Sequence, residues 1–258
     1  MRGRTGLVVT SVKERLQRVR FVLIGTTHPG NIGAVARAMK NMCLRQLYLV
    51  HPKNYPSADA TARASGADDL LAGARLCDDL DSALLGCRLV VGASARLRTV
   101  QWPQLAPAQC ASLLIDEGQQ GEVALLFGRE SSGLSNAELD RCNYLVQIPA
   151  NPEYASLNLA QAAQILAYEL HMAALVEQPE AANGTQEVAP AELLEGFFEH
   201  LNQTMEEIGF SDPQQSRKLQ RRLRRLFLRA RPDLDELNIL RGILSATQGR
   251  KSPRRFPS

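Results

Sequence analysis

The feature that most constrains the fold of this chain is an alternation of short apolar runs with amphipathic segments, beginning at residue 19. The apolar runs are rich in Val, Leu and Ile and contain few polar residues, as is typical of strands buried on both faces of a parallel sheet. They cover residues 19–24, 46–50, 88–93, 123–127 and 144–148. The sequence therefore predicts an α/β domain built on a parallel sheet.

Apolar spacing and capping residues predict helices between and after these strands. The shorter helices cover residues 32–42, 57–64, 80–85, 107–116 and 135–142, and a longer helix covers 158–176. The predicted N-caps are Ser57, Asp79 and Ser135, and the predicted C-terminal stops are Gly66 and Gly86.

Turn-forming and acidic residues after the long helix predict a linker, and three further helices follow at 191–208, 213–230 and 233–247. The predicted organisation is a basic N-terminal extension at 1–18, an α/β domain at 19–177, a linker at 178–190, a small C-terminal helical domain at 191–248 and a basic tail at 249–258. We expect both tails, at 1–15 and 249–258, to be frayed.

The positive charge of the chain is concentrated at its C-terminal end. Residues 217–258 contain 13 basic and 3 acidic residues, although the net charge of the whole chain is only +3. The middle helix of the helical domain has an apolar stripe, formed by Leu219, Leu223, Leu226, Phe227 and Ala230. Basic residues fill the rest of that helix, which is typical of a polyanion-binding surface, although a solvated helical face is the alternative.

The composition excludes several classes of protein. No run approaches the roughly 18 to 20 apolar residues of a membrane-spanning helix, and the first twenty residues contain no apolar core of a secretion signal. The 5 cysteines form no C-x-x-C pair. We therefore expect a cytoplasmic protein with reduced thiols and without disulfides or zinc.

Three loops that follow predicted strands concentrate glycine and polar residues. The first, 25–37, contains Asn31, which we expect to cap the first helix, and Arg37. The second, 125–135, places Arg129 and Glu130 directly after a buried strand, at the sheet edge where α/β proteins bind ligands. The third loop, 148–158, enters the long helix. Taken singly, these loops have ordinary alternatives as a glycine-rich turn, a solvated turn and a helix cap.

Taken together, the three loops resemble the SPOUT superfamily of knotted methyltransferases, specifically its SpoU/TrmH branch of RNA ribose 2′-O-methyltransferases. The pattern N-x-G-x-x-x-R matches residues 31–37, F-G-x-E-x-x-G-L matches 127–134, and S-L-N matches 156–158. Within that branch the chain is most similar to the TrmJ type, through residues 27–33, 151–158, 223–232 and 236–242. The resemblance covers nearly the whole chain apart from its tails and linker.

The resemblance implies a trefoil-knotted parallel-sheet domain that binds S-adenosylmethionine, releases S-adenosylhomocysteine and requires no metal. It implies methylation of the ribose of nucleotide 32, C or U, in the tRNA anticodon loop. The implied cofactor-binding residues are Ala93, Ser94, Ala95, Gly128, Ile148, Ser156 and Leu157. The implied catalytic residues are Arg37, Asn31, Glu130, Ser156 and Asn158. Arg37 would activate the hydroxyl, either as a base or only electrostatically.

The resemblance also implies partners. We expect a homodimer that binds tRNA, in which Arg37 serves the cofactor of the opposite subunit, and we expect neither DNA nor a membrane as a partner. The predicted RNA-binding residues are Arg217, Lys218, Arg221, Arg222, Arg224, Arg225 and Arg229. The alternatives are a ribosomal RNA methyltransferase of the same superfamily, or an RNA-binding module without catalytic activity.

Overall fold

The computed structural model describes residues 11–95, 102–176, 189–212 and 217–249. In this part of the chain, seven parallel strands form one sheet in the order β3-β2-β1-β6-β4-β7-β5. The strands are β1 Val19–Ile24, β2 Gln46–Val50, β3 Arg75–Cys77, β4 Cys87–Ala93, β5 Gln104–Leu105, β6 Glu122–Phe127 and β7 Tyr144–Val146. The predicted parallel α/β fold is therefore confirmed.

Eight helices of the described residues belong to the sheet domain and three form a C-terminal bundle. The first group is α1 Val12–Leu16, α2 Pro29–Asn41, α3 Ala58–Ala64, α4 Asp68–Ala72, α5 Leu80–Leu84, α6 Pro107–Gly118, α7 Asn136–Leu139 and α8 Leu159–Leu175. The bundle consists of α9 Ala191–Glu207, α10 Arg217–Ala230 and α11 Leu234–Thr247. No helix within the described ranges is both long and apolar enough to cross a membrane.

The sheet is buried on both faces because its strands are apolar at successive positions. In β1, Phe21 and Leu23 lie in the core cluster of one face, whereas Val22 and Ile24 lie in that of the other. The ring centroids of Phe21 and Phe127 are 5.2 Å apart across neighbouring strands. Each fully buried side chain of this size stabilises the fold by about 1.5 to 3 kcal/mol.

The strand order requires late strands to be inserted between early ones. β6 lies between β1 and β4, and β7 lies between β4 and β5. All these strands are parallel, so their carboxyl ends meet at one edge of the sheet and bring the loops that follow them together. The order is consistent with the knotted connection that the resemblance implies, and the knot itself stays a prediction.

Two short strands and two short helices were not predicted. β3 and β5 have three and two residues and lie at the edges of the sheet, so neither has the buried apolar run of a central strand. The expectation of a frayed segment through residue 15 is wrong for residues 11–15. Ser11 and Glu14 form a capping box at the start of α1, and Arg15 donates hydrogen bonds to the carbonyls of Ala174 and Val176.

The capping predictions have mixed outcomes. Ser57, Asp79 and Ser135 accept hydrogen bonds from backbone N–H groups at the starts of α3, α5 and α7, as predicted. The prediction for Asn31 is wrong, because α2 begins at Pro29 with His28 in the cap position. Proline fits the first helical position, where its missing N–H costs no hydrogen bond.

The C-terminal bundle is held together by an aromatic cluster. The rings of Phe197 and Phe227 meet edge to face at 4.8 Å, and Phe198 packs against Phe197. On α10 the buried residue is Leu228, whereas Leu226 is 45% exposed, so the predicted apolar stripe is partly wrong. Leu228 packs in the bundle core, and its carbonyl also contacts the sheet domain. Most of the predicted linker and both chain ends lie outside the described residues.

Candidate active site

The three loops identified in the sequence meet at the carboxyl edge of the sheet, where the second and third loops and the segment after β4 enclose a cavity. Its walls come from the ends of β4, β6 and β7 and from the start of α8. The structure brings all seven predicted cofactor-binding residues into this lining: Ala93, Ser94, Ala95, Gly128, Ile148, Ser156 and Leu157. Apolar surface is supplied by Leu134, Val146 and Leu159. The cavity therefore combines apolar walls with the free backbone ends of parallel strands.

Asn31 joins the three loops through its side-chain amide. Its nitrogen donates a hydrogen bond of 3.0 Å to Glu130 in the second loop. Its oxygen accepts a hydrogen bond of 3.1 Å from the side-chain nitrogen of Asn158 in the third. An amide is suited to this position because it donates and accepts at the same time.

Glu130 accepts hydrogen bonds from several groups of the first loop. The backbone N–H groups of Thr27 and His28 donate to it, as does the Thr27 hydroxyl at 2.9 Å. Burial alone would raise the pKa of Glu130, but the bond from Asn31 and the backbone donors outweigh it and lower the pKa to about 2. The side chain is therefore a carboxylate at neutral pH, which makes it an anchor for the first loop and a poor proton donor.

The second loop folds back on itself as a tight hairpin. The backbone groups of Arg129 and Gly133 bond reciprocally, at 2.8 and 3.2 Å. A Cβ atom at Gly128 would lie 2.1 Å from the carbonyl carbon of Gly133, so this close approach requires glycine. The Arg129 guanidinium pairs with Glu138 of α7 at 2.9 Å. Part of the cavity wall is thereby tied to α7.

The third loop ends at the N-cap of α8. The side-chain oxygen of Asn158 accepts hydrogen bonds from the N–H groups of Ala160 and Gln161, while its nitrogen reaches Asn31. Asn158 therefore caps α8, which was the ordinary alternative for this loop, and it contacts the first loop as well. Ser156 lies two residues earlier, exposed and on the cavity wall.

Arg37 takes no part in the hydrogen bonds that join Asn31, Glu130 and Asn158. It is exposed on α2, has no hydrogen bond or ion pair within the described ranges, and does not line the cavity of its own chain. Gly33, one turn earlier, allows the close packing of α2 on α3, because a Cβ atom there would lie 2.0 Å from the Ala60 carbonyl oxygen. The glycine of this motif thus serves helix packing.

The seven predicted RNA-binding residues of α10 lie on more than one face of the helix. Arg217, Lys218, Arg222 and Arg229 are exposed, and Arg225 is half-buried. Arg221 and Arg224 instead contact the sheet domain, where Arg221 pairs with Asp140 at 2.8 Å and Arg224 donates to the Asp140 carbonyl at 2.6 Å. Arg224 also pairs with Glu195 of α9 within the bundle. Local periodicity did not distinguish them because their partners are distant in sequence.

Sequence reasoning also missed residues that build the site. Thr27 donates two hydrogen bonds to Glu130. Arg129 was singled out at the sheet edge, but its pairing with Glu138 of α7 was not predicted. Leu134, Val146 and Leu159 supply the apolar wall of the cavity. These residues could have been found from their sequence positions next to the motif residues, since the three loops were already expected to converge.

Comparisons with known proteins agree over most of the chain. The model of the SpoU rRNA Methylase family matches residues 18–168, and that of the tRNA methyltransferase TrmJ, C-terminal domain, matches residues 192–256. The tRNA (cytidine/uridine-2′-O-)-methyltransferase TrmJ of Pectobacterium atrosepticum is 52% identical over 236 residues, covering 90% of this chain and 98% of its own.

Two further relatives extend the comparison. The tRNA (cytidine/uridine/adenosine-2′-O-)-methyltransferase TrmJ of Pseudomonas aeruginosa is 50% identical over 243 residues, covering 90% of this chain and 95% of its own. The crystal structure of TrmJ from Z. mobilis ZM4 superposes with a TM-score of 0.77 at 34% identity, covering 88% of this chain and 97% of that one.

Proposed function

This chain belongs to the SpoU rRNA methylase family, within its TrmJ group, and from that membership we propose that it methylates the ribose 2′ oxygen of C or U at nucleotide 32 in the tRNA anticodon loop. S-adenosylmethionine is the donor and S-adenosylhomocysteine the product. The observation that carries the proposal is the Asn31 amide, which joins the three motif loops beside the cavity. The names of the relatives support tRNA as the substrate class.

The cavity fits the proposed cofactor in its chemistry. Leu134, Val146 and Ile148 offer an apolar surface suited to an adenine ring, and Ser94 and Ser156 add polar groups for the ribose and amino-acid parts. When bound, the cofactor supplies an electrophilic methyl group on a sulfonium sulfur. The seven predicted cofactor-binding residues would hold the cofactor chiefly through backbone groups, which explains why small residues such as Ala93 and Ala95 suffice.

The residues of this chain orient the reactants and stabilise charge, which are the large contributions when the electrophile is already activated. Glu130 and Asn158 fix Asn31 and thereby hold the three loops together. Arg37 acts electrostatically, because a guanidinium does not lose its proton in proteins. Its positive charge favours the ionised form of the ribose hydroxyl.

The exposed cations of α10 provide the contacts to the tRNA backbone. Lys218, Arg222 and Arg229 recur at spacings of four and seven residues, so they share one face of the helix. Such residues bind phosphates without reading sequence, and they would place a whole tRNA over the catalytic domain. A tRNA substrate supports the expectation of a cytoplasmic enzyme.

We propose a homodimer in which Arg37 serves the cavity of the partner. Tyr168, Met172 and Leu175 form an exposed apolar stripe on α8, with 48%, 42% and 53% of their surface accessible. α8 packs beside α2, the helix that carries Arg37. Covering the stripe with a second copy buries this apolar surface and brings another cavity toward an arginine that does not line its own.

Methylation of purified tRNA and purified ribosomal RNA tests the proposal. The purified full chain is incubated with labelled S-adenosylmethionine and each RNA in turn. Label in tRNA alone supports the proposal, whereas label in ribosomal RNA alone would establish the family's other activity. Calorimetry with S-adenosylhomocysteine tests the remaining alternative, an RNA-binding module without catalytic activity. Such a module would show no affinity for S-adenosylhomocysteine.

A further inference from the structure

The arginines of α10 divide into an outward and an inward set. Arg221, Arg224 and Leu228 are spaced by three and four residues and face the sheet domain. Lys218, Arg222 and Arg229 share a different face and are exposed. One helix therefore carries both the cations proposed to bind tRNA and a row of residues that docks the bundle on the catalytic domain.

Arg221 is the residue of the inward row that reaches two supports of the cofactor cavity. Its Nε lies 2.8 Å from Oδ1 of Asp140, and its guanidinium carbon lies 5.4 Å from the ring centre of Trp102. The Arg221 and Asp140 side chains are only 26% and 21% exposed, so this ion pair is partly shielded from solvent. Pairs of this kind are stronger than those on open surfaces.

Asp140 connects Arg221 to the loop after β6. It follows directly after α7 and caps it, its own N–H bonding to the Asn136 carbonyl. Glu138 of the same turn pairs with Arg129, which lines the cavity. Arg221 is thus two short contacts away from the hairpin that carries Gly128 and Glu130.

Trp102 connects Arg221 to the side of the cavity that β7 forms. It is 5% exposed and lies just before β5, and Ala93, Ser94 and Ala95 lie at and after the end of β4, the strand before β5 in the sequence. Its indole N–H donates to the carbonyl of Cys142 at 3.1 Å, close to the start of β7. The end of β7 also lines the cavity, through Val146.

We propose that Arg221 is a positioning residue that couples the tRNA-binding helix to the cofactor cavity, by holding Asp140 and Trp102 at the bases of its walls. This inference rests on the proposed function. Two further hydrogen bonds fix the position of α10 on the sheet domain. Arg224 donates to the Asp140 carbonyl at 2.6 Å, and Asn143 donates to the Leu228 carbonyl at 3.3 Å. We expect this coupling to be positive, and because coupling between two sites is reciprocal, tRNA on the outward face would strengthen cofactor binding by the same factor as the cofactor strengthens tRNA binding.

Titration of the full chain with S-adenosylhomocysteine, followed by tryptophan emission, tests this coupling. Trp102 is the single tryptophan of the chain, so the emission reports on the contact itself. We expect Arg221→Ala to weaken S-adenosylhomocysteine binding about fivefold, at the lower end of usual coupling between sites. The matched control is Arg222→Ala on the outward face, which should weaken tRNA binding and leave the S-adenosylhomocysteine affinity within about twofold.

Two further measurements separate coupling from a general loss of structure. Saturating tRNA should tighten S-adenosylhomocysteine binding in the wild type and fail to do so in Arg221→Ala. Asp140→Asn, which preserves the shape of the side chain, should reproduce the effect and serves if Arg221→Ala does not fold. Equal affinities in wild type and a folded Arg221→Ala would overturn the inference. Absence of S-adenosylhomocysteine binding by the wild type would instead overturn the proposed function.

Discussion

The side chains of Asn31 and Glu130, 99 residues apart in sequence, share a hydrogen bond of 3.0 Å at the carboxyl edge of the sheet. The same Asn31 amide accepts a hydrogen bond from Asn158. Three separated motifs therefore meet in one chain of hydrogen bonds with a carboxylate at its end. The charge of Glu130 polarises the Asn31 amide, and hydrogen bonds to charged groups are the stronger class.

Replacing Asn31 by Asp should impair the site more than replacing it by Ala. The aspartate oxygen cannot donate to Glu130 and adds a second negative charge beside it. A hydrogen bond to a charged group is worth about 1.5 to 3 kcal/mol, so we expect kcat/KM for tRNA to fall roughly 10- to 100-fold with Ala and further with Asp. Asn41→Ala, at the other end of α2, is the control, and equal rates in all four proteins would show that the bridge is dispensable.

The pH dependence of unfolding should reveal the Glu130 carboxylate. Its pKa in the folded protein is about 2, below the ordinary 4.5, so its stabilising contribution is complete above about 4.5 and is lost as the pH falls through 2. Glu130→Gln removes this contribution. The difference in Tm between wild type and variant should therefore shrink from pH 6 toward pH ~2.5. A constant difference across that range would contradict the assignment.

The salt dependence of tRNA binding should reveal the outward face of α10. Each phosphate contact contributes about −0.7 to −0.9 to the slope of log affinity against log salt. The double variant Arg222→Ala/Arg229→Ala should make that slope less negative by about 1 to 2, as measured by filter binding at several salt concentrations. Arg241→Ala, an exposed cation of α11, should leave the slope unchanged. An unaltered slope in the double variant would place the tRNA elsewhere.

The apolar stripe on α8 should hold the proposed dimer together. Met172→Arg places a charge in its centre without disturbing the core, because Met172 is 42% exposed. Sedimentation velocity should show a dimer for the wild type and a monomer for Met172→Arg, with loss of methyl transfer. Leu76→Arg, at the exposed edge strand β3, should remain dimeric. A wild-type monomer that retains full activity would refute both the dimer and the action of Arg37 across it.

The sequence was sufficient to predict the elements that are long and buried. The apolar runs at β1, β2, β4, β6 and β7 predicted the central strands because both sheet faces are covered. β3 was not predicted because it has three residues, with Leu76 60% exposed. The strand order also lay beyond local patterns, since it depends on where β6 and β7 insert.

The residues of the candidate site were identified from the family resemblance. Physical reasoning about the predicted fold accounted for the position of only some of them. The cofactor-cavity set comes together because the loops follow parallel strands. The contact of Asn31 to Glu130 was missed, because a polar residue near a helix start is usually a cap. Arg221 was assigned to RNA because its partner Asp140 is 81 residues away, and no local signal marks such a pair.

Mapping of the methyl group tests the central claim most directly. Unmodified tRNA is treated with S-adenosylmethionine and wild type, Arg37→Ala or the control Arg45→Ala, which alters an exposed arginine preceding β2. Mass spectrometry of nuclease fragments then locates the added methyl group. We expect a 2′-O-methylribose at nucleotide 32 with wild type and Arg45→Ala, and none with Arg37→Ala, although that variant still binds S-adenosylhomocysteine. A methyl group on a base, or undiminished transfer by Arg37→Ala, would contradict this expectation.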